Sequence, residues 1–121
     1  MASILVIDDE PVIRSLLRTV LERAGHTVTE ATNGREGLAL YRQQPADLVV
    51  TEIYMPELNG LDVILELTRD FLNVKVIAIS GAQGEQKSVL NAAKLLGVRQ
   101  TFQKPVRLEK FLTAVEYELV H

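Results

Sequence analysis

The sequence predicts an α/β fold, a doubly wound five-stranded parallel sheet flanked by five helices. Short runs of branched apolar residues alternate five times with amphipathic segments. The central apolar runs are continuous, which is typical of strands buried on both faces. The connections are short, so no linker separates two domains, and a regular alternation of strand and helix implies parallel strands. We therefore expect one domain covering residues 1–121, with no effector domain in this chain.

Composition excludes several classes of protein. The chain has 121 residues, 47% hydrophobic and 24% charged, as in an ordinary globular domain with its own core. A net charge of -3 and the absence of any run of Lys or Arg argue against a nucleic-acid partner. No cysteine is available for disulfides or thiolate metal sites. The first apolar run is too short for a signal peptide or a membrane span, so we expect a cytoplasmic protein without a membrane partner.

The first elements are predicted from the amino-terminal quarter of the chain. Residues 4–7 form a continuous apolar run, as expected of a buried strand. Pro11 is tolerated in a first helical turn, and apolar residues then recur at three- and four-residue steps until Gly25, a suitable stop. A second strand is predicted at 27–31, followed by a helix through Tyr41.

The middle of the chain repeats this pattern. A third strand is predicted at 47–52, and a third helix follows the Asn59-Gly60 turn. The inward face of that helix is predicted to be apolar and to consist of Leu61, Ile64, Leu65 and Leu67.

The last two units complete the alternation. A fourth strand is predicted at 74–79, broken by Ser80-Gly81, and a fourth helix at 85–96. A short fifth strand is predicted at 99–103. The last helix carries an apolar face formed by Leu108, Phe111, Leu112, Val115 and Leu119.

Chemically active side chains follow four of the five strands. In open parallel sheets, ligands bind at the carboxyl ends of the strands, so residues at these points converge if their strands are neighbours. The residues at these ends are Asp8 and Asp9 after the first strand, Glu52 after the third, Ser80 after the fourth and Lys104 after the fifth.

This group of side chains points to phosphoryl chemistry. Clustered carboxylates repel one another and recruit a cation, and oxygen-only ligands suit Mg²⁺. A nearby lysine and hydroxyl would stabilise charge on a phosphoryl oxygen. Each residue alone has a simpler explanation, since an acid pair often caps a helix and Ser80 or Lys104 can belong to a solvated turn. Four such residues, each closing a different strand, favour a shared site.

The motifs at these positions resemble those of the receiver domain of two-component response regulators. The resemblance covers the whole chain and is carried by Asp8-Asp9-Glu10-Pro11, by Glu52-Ile-Tyr54-Met55-Pro56 with Asn59-Gly60, by Ser80-Gly81 and by Lys104-Pro105. It implies a flavodoxin-like, CheY-like fold with strand order 2-1-3-4-5. It further implies phosphorelay signalling with a sensor histidine kinase or phosphotransfer protein as partner, and output through the surface of helix four, strand five and helix five.

The resemblance also implies roles for the acidic residues. Asp9 would bind a weakly held Mg²⁺ or Mn²⁺ directly, Asp8 would act through water, and the backbone carbonyl of Tyr54 would complete the coordination. Glu52 would occupy the phosphoacceptor position and lie beside the same metal.

The remaining motif residues would surround the phosphoryl group. Ser80 and Gly81 would bind it, Lys104 would supply its counter-charge, and Thr101 would occupy the switch position on strand five. The loop after strand three would be shaped by Met55, Pro56 and Gly60.

Glu52 departs from the family pattern, which has aspartate at this position. Its carboxylate lies one methylene farther out, and an error of about 1 Å in a reacting group can cost on the order of a hundredfold in rate. The side chain could instead reach the space of a phosphoryl group and engage Ser80 and Lys104. We therefore interpret this chain as a phosphomimetic or phosphorylation-independent receiver, with an engineered aspartate-to-glutamate change favoured over a natural one.

A second departure concerns the switch. Many receivers carry an aromatic ring where this chain has Thr101, and Phe102 points to the opposite face and is expected to pack in the core. An output switch would then depend on the loop from Ser80 to Gly84 and the start of helix four.

Two other functions use the same fold. A phosphohydrolase or phosphotransferase with a strand-end carboxylate usually needs a second acid two residues on, where this chain has Tyr54. A flavin or nucleotide binder needs a glycine- or hydroxyl-rich loop after strand one, where Asp8, Asp9 and Glu10 would repel a phosphate. We therefore expect a signalling switch rather than an enzyme, with its own phosphoryl uptake and loss impaired by Glu52.

Overall fold

The computed structural model describes residues 1–81 and 86–121, with only the backbone described at 86 and 87. Strands and helices alternate along the chain as β1 (Ser3–Ile7), α1 (Pro11–Arg23), β2 (Thr27–Ala31), α2 (Gly34–Gln43), β3 (Leu48–Glu52), α3 (Gly60–Asp70), β4 (Val76–Ser80), α4 (Gln86–Leu95), β5 (Gln100–Gln103) and α5 (Leu108–Val120). All strand pairs are parallel, and the order in the sheet is β2-β1-β3-β4-β5. The predicted fold class and strand order are confirmed.

The core consists of two apolar layers, one on each face of the sheet. Leu5, Val49 and Ala78 point to the layer covered by α2, α3 and α4. Their strand neighbours Val6 and Val50 point to the layer covered by α1 and α5. Because the central strands are buried on both faces, their sequences are apolar at consecutive positions rather than at alternate ones.

Local signals place the helices directly after the strand ends. Pro11 occupies the first turn of α1, where its missing N–H is not needed. The side chains of Asn33 and Asn59 cap α2 and α3 by accepting the backbone N–H groups of Glu36 and Asp62, at 2.8 Å and 3.0 Å. The loops before α2 and α3 are therefore anchored at the helices that follow them.

The structure corrects some predicted details. β4 ends with Ser80 rather than before it, so the Ser80 side chain belongs to the sheet edge. Leu65 is 49% exposed, whereas Val63 is buried in its place, because the inward face of α3 is narrower than predicted and rotated toward Val63. The expected start of helix four at 85 and the switch loop through Gly84 lie outside the described residues.

Candidate functional site

The candidate site lies where β1, β3 and β5 end. Asp8 follows β1 and Glu52 is the last residue of β3, and both are almost fully buried, at 1% and 2% exposure. The two strands are direct neighbours, so the two carboxylates lie at the same edge of the sheet. Lys104 directly follows β5 and reaches the same point. The predicted convergence of these three strand ends is thus present in the structure.

Lys104 is the shared counter-ion of three carboxylates. Its Nζ lies 2.7 Å from Oε1 of Glu52, 3.2 Å from Oδ2 of Asp8 and 2.5 Å from Oε1 of Glu10. Burial by itself would lower the pKa of Lys104, but hydrogen bonds to Glu10 and Glu52 and the charge of Asp8 outweigh it and raise that pKa above its ordinary value. Lys104 therefore stays positively charged at neutral pH.

The carboxylate of Glu52 is held by donors from three strand ends. Its Oε2 accepts backbone N–H groups from Ile53 at 2.7 Å, Tyr54 at 3.1 Å and Gly81 at 3.2 Å. Its Oε1 is the oxygen that pairs with Lys104. Charge-assisted hydrogen bonds of this kind are stronger than neutral ones, so the carboxylate has a well-defined position.

Within the described part of the chain, two buried oxygen atoms in this region accept or donate no hydrogen bond. One carboxylate oxygen of Asp8, Oδ1, accepts the N–H of Glu10 at 2.8 Å, whereas Oδ2 has only the ionic contact with Lys104. Burial raises the pKa of Asp8, and the Glu10 N–H and the Lys104 charge offset this only in part. The hydroxyl of Ser80 is the second such atom. An unpartnered buried polar atom typically costs about 1–3 kcal/mol, so the Ser80 hydroxyl favours a polar ligand at this edge.

The donor set fits a hard divalent cation. Carboxylate oxygens of Asp8, Glu10 and Glu52 all lie within 4.8 Å of one another. Oxygen ligands of this kind are those that Mg²⁺ and Mn²⁺ prefer, and Oδ2 of Asp8, which pairs with Lys104, could also bind one. When bound, such an ion would neutralise the carboxylates and polarise a phosphoryl oxygen.

Glu10, rather than Asp9, completes this group of acids. The Asp9 side chain is exposed, and its role as a direct metal ligand stays a prediction, as does that of the Tyr54 carbonyl. Sequence reasoning gave Glu10 no role of its own. The available signal was the spacing, because an aspartate that accepts the N–H two residues on folds the chain back toward itself.

The loop between β3 and α3 closes tightly on the site. Gly60 donates its N–H to the Ile53 carbonyl at 2.7 Å, and a methyl group on Gly60 would lie 2.6 Å from Cα of Ile53. Met55 is buried in the α2–α4 layer, whereas Pro56 is exposed. Gly60 thus allows the loop to approach the end of β3, and the loop role of Met55 and Pro56 stays a prediction.

The remaining predicted residues lie around and beyond the pocket. A methyl group on Gly81 would lie 2.9 Å from Oε1 of Glu52, so the absence of a side chain there leaves room for the carboxylate.

Thr101 is half-buried and lines a groove between α4 and β5. Phe102 points to the opposite face and meets Phe111 edge-on, with ring centroids 5.9 Å apart. The predicted orientation of Phe102 is confirmed.

The described residues contain no helix long and apolar enough to cross a membrane.

Comparison with known proteins places these features in a family. The response regulator receiver domain model matches residues 4–116. The chain is 36% identical over 113 residues to the chemotaxis protein CheY of Thermotoga maritima, covering 93% of this chain and 92% of that protein. It is also 36% identical over 115 residues to protein PilH of Pseudomonas aeruginosa, covering 95% of each.

Solved structures agree with this assignment. A response regulator receiver domain protein from Clostridium thermocellum matches with a TM-score of 0.88 at 30% identity, covering 98% of this chain and 94% of that one. The receiver domain of NtrX from Brucella abortus matches with a TM-score of 0.87 at 28% identity, covering 96% and 97%. The chain belongs to the response regulator receiver domain family, the signalling switches of two-component systems.

Proposed function

We propose that this chain is a receiver in which Glu52 replaces the phosphoacceptor aspartate and its carboxylate occupies the donors that would otherwise face a phosphoryl group. The observation that carries the proposal is the pair of contacts made by Glu52 outside its own strand. Its Oε2 takes the N–H of Gly81 and its Oε1 takes the ammonium of Lys104. These donors close β4 and β5, and an anion bound to them couples three strand ends.

The mimicry is partial, for two reasons. A phosphate typically brings a charge of about -1.5 to -2 and three acceptor oxygens, against -1 and two for a carboxylate. Among the described residues the hydroxyl of Ser80 has no hydrogen-bond partner, so it is a donor that a third phosphoryl oxygen could use. The shift toward an active conformation is limited by this difference in interaction energy. An introduced and a natural Glu52 would make the same contacts, and the otherwise complete motif set favours an introduced one.

The proposal includes a cofactor, a location and two kinds of partner. Asp8, Asp9, Glu52 and the Tyr54 carbonyl would hold a weakly bound Mg²⁺ or Mn²⁺, in the cytoplasm. The phosphodonor side would be a sensor histidine kinase or phosphotransfer protein. The output side would be the α4–β5–α5 face, which carries an open groove of about 520 Å³ lined in part by Gln100 and Tyr117.

Phosphoacceptance tests the first half of the proposal. The parent and Glu52→Asp are incubated with acetyl phosphate and Mg²⁺, and intact mass is followed over time. We expect Glu52→Asp to gain the mass of one phosphoryl group and the parent to stay unmodified. Equal phosphorylation of the two proteins would show that Glu52 is a working acceptor and would overturn the proposal.

The conformational half needs a separate measurement. Amide NMR spectra of the α4–β5–α5 face are compared for the parent, for Glu52→Gln and for Glu52→Asp with and without acetyl phosphate. We expect the parent spectrum to lie toward that of phosphorylated Glu52→Asp, and Glu52→Gln to match the unphosphorylated form. A parent spectrum identical to that of Glu52→Gln would mean that the carboxylate activates nothing.

A further inference from the structure

Arg14 connects the acidic loop to the edge strand of the sheet. It lies in α1, and its side chain is only 15% exposed despite its charge. Its Nη1 donates to the backbone carbonyl of Asp8 at 2.7 Å, and its Nε donates to Oε1 of Glu30 on β2 at 2.9 Å. One guanidinium thus joins α1, β2 and the residue that directly follows β1.

The carbonyl of Asp8 lies just past the end of the strand ladder. The last paired residue of β1 is Ile7, opposite Ala31 and Thr51. Asp8 still donates its N–H to Ala31 at 3.1 Å, whereas its carbonyl is bound by Arg14. Because the guanidinium is planar with donors at fixed angles, anchoring one edge on a carboxylate also fixes the direction of the other.

Glu30 is a firm anchor for this contact. Arg18 binds its second oxygen, with Nη1 at 2.6 Å from Oε2. The hydrogen bond from Arg18 and the smaller contribution of Arg14 hold the pKa of Glu30 below its usual range, against the effect of burial. Glu30 therefore stays ionised at neutral pH, and both arginines stay attached to it.

We infer that Arg14 is a positioning residue, which fixes the Asp8 backbone and thereby the place of the Asp8 carboxylate relative to Glu52 and Lys104. The inference rests on the proposed function in so far as the acidic pocket binds a divalent cation. Groups that orient a metal ligand typically change affinity by about 10- to 100-fold when they are removed. Arg14 would act in this way through the main chain, without touching the ion.

The chain offers a matched control for this role. Arg14 and Arg18 both lie on α1 and both bind Glu30, but only Arg14 binds the Asp8 carbonyl. Replacing either one by methionine removes one positive charge and one partner of Glu30, and Arg18→Met also removes an exposed pair with Glu22. Only Arg14→Met also leaves the Asp8 carbonyl without its donor. A larger loss of Mn²⁺ affinity in Arg14→Met than in Arg18→Met would therefore report the contact with Asp8.

The test measures Mn²⁺ binding by water-proton relaxation and thermal unfolding of the metal-free proteins. We expect Arg14→Met to weaken Mn²⁺ binding by about tenfold or more and Arg18→Met by less than about twofold, with similar unfolding midpoints for both. Arg14→Lys keeps the charge but cannot bridge two acceptors in a fixed geometry, so it should fall between Arg14→Met and the parent. Equal Mn²⁺ affinity in the parent and Arg14→Met, or an equal loss in both methionine variants, would overturn the inference.

A metal-free measurement separates this inference from the proposed function. We expect the amide NMR signals of Asp8, Asp9 and Glu10 to shift in Arg14→Met and to stay in place in Arg18→Met. If the parent does not bind Mn²⁺ but these signals shift selectively, Arg14 still positions the loop and the metal part of the proposed function fails. If the signals of both variants match those of the parent, Arg14 does not position Asp8, whatever the metal does.

Discussion

Glu52 and Lys104 form a buried ion pair across the carboxyl edge of the sheet, with 2.7 Å between Oε1 and Nζ. The two residues close β3 and β5, and β4 lies between those strands, so the pair passes over the end of β4. The residue after β4 is Gly81, which has no side chain to obstruct the contact and donates its N–H to Glu52. The ion pair therefore both balances charge in the pocket and holds the end of β3 against the loop after β5.

Replacement of Lys104 by methionine should lower the stability of the metal-free protein. Asp8, Glu10 and Glu52 would lose their shared cation, and two of these carboxylates are nearly fully buried. We expect the free energy of unfolding, measured in urea with EDTA at pH 7, to fall by about 3 kcal/mol, as for the removal of one partner from a buried ion pair.

Two controls accompany the Lys104 variant. Lys104→Arg keeps the charge and should recover most of the stability. Added Mg²⁺ should stabilise Lys104→Met more than the parent, because the ion replaces the missing cation and binding to the native state alone raises stability. Unchanged stability of Lys104→Met in EDTA would contradict the role of Lys104 as the shared counter-ion.

Asp8 should lower the stability of the metal-free protein at neutral pH. Burial raises its folded-state pKa above the ordinary 3.8, so the ionised form is less favourable in the folded protein than in the unfolded one. Stability is therefore lost as pH rises from below 3.8 through the folded pKa. We expect Asp8→Asn to be more stable than the parent at pH 7 in EDTA, and this gain to disappear on acidification below that ordinary pKa.

The matched control for Asp8 is its exposed neighbour. Asp9→Asn should change stability by less than about 0.5 kcal/mol, as is usual for a surface substitution. Urea unfolding of the two variants across a pH series checks both expectations. A stability difference between Asp8→Asn and the parent that did not change with pH would contradict the ionisation argument.

Two glycines of the site should respond differently to a methyl group. A methyl group added at Gly60 would lie 2.6 Å from Cα of Ile53, so the backbone would have to move. On Gly81 it would meet the end of the flexible Glu52 side chain and Cδ of Lys104, both at 2.9 Å. We expect Gly60→Ala to cost about 2 kcal/mol and Gly81→Ala less than about 1 kcal/mol. Gly81→Ala should instead displace the Glu52–Lys104 pair, measured as a shift of the amide signals of Ile53 and Tyr54, which both donate to Glu52.

The parallel sheet followed from local patterns, because buried parallel strands have continuous apolar sequences. The pocket followed because the carboxyl ends of parallel strands share one edge, whereas the strand order came from the resemblance to receiver domains. Leu65 was assigned wrongly because apolar character alone does not fix the width of a helix face. The roles of Glu10 and Glu118 depend on partners from other elements. Glu10 pairs with Lys104, 94 positions later in the chain, and the residues next to Glu10 in the sequence do not predict that contact.

Glu118 is a buried carboxylate at the opposite edge of the sheet from the pocket. Its side chain is 5% exposed, its Oε2 accepts from Nε2 of Gln100 at 2.9 Å, and its Oε1 lies 3.5 Å from Nη1 of Arg99. Glu118→Ala would leave these donors unpaired, so we expect the free energy of unfolding to fall by about 2 kcal/mol. Glu118→Gln keeps an acceptor for Gln100 and should lose less. Mn²⁺ affinity should be unchanged in both variants, because the contact anchors α5 to β5 without reaching the acidic loop, and a loss of affinity would show that the two edges are coupled.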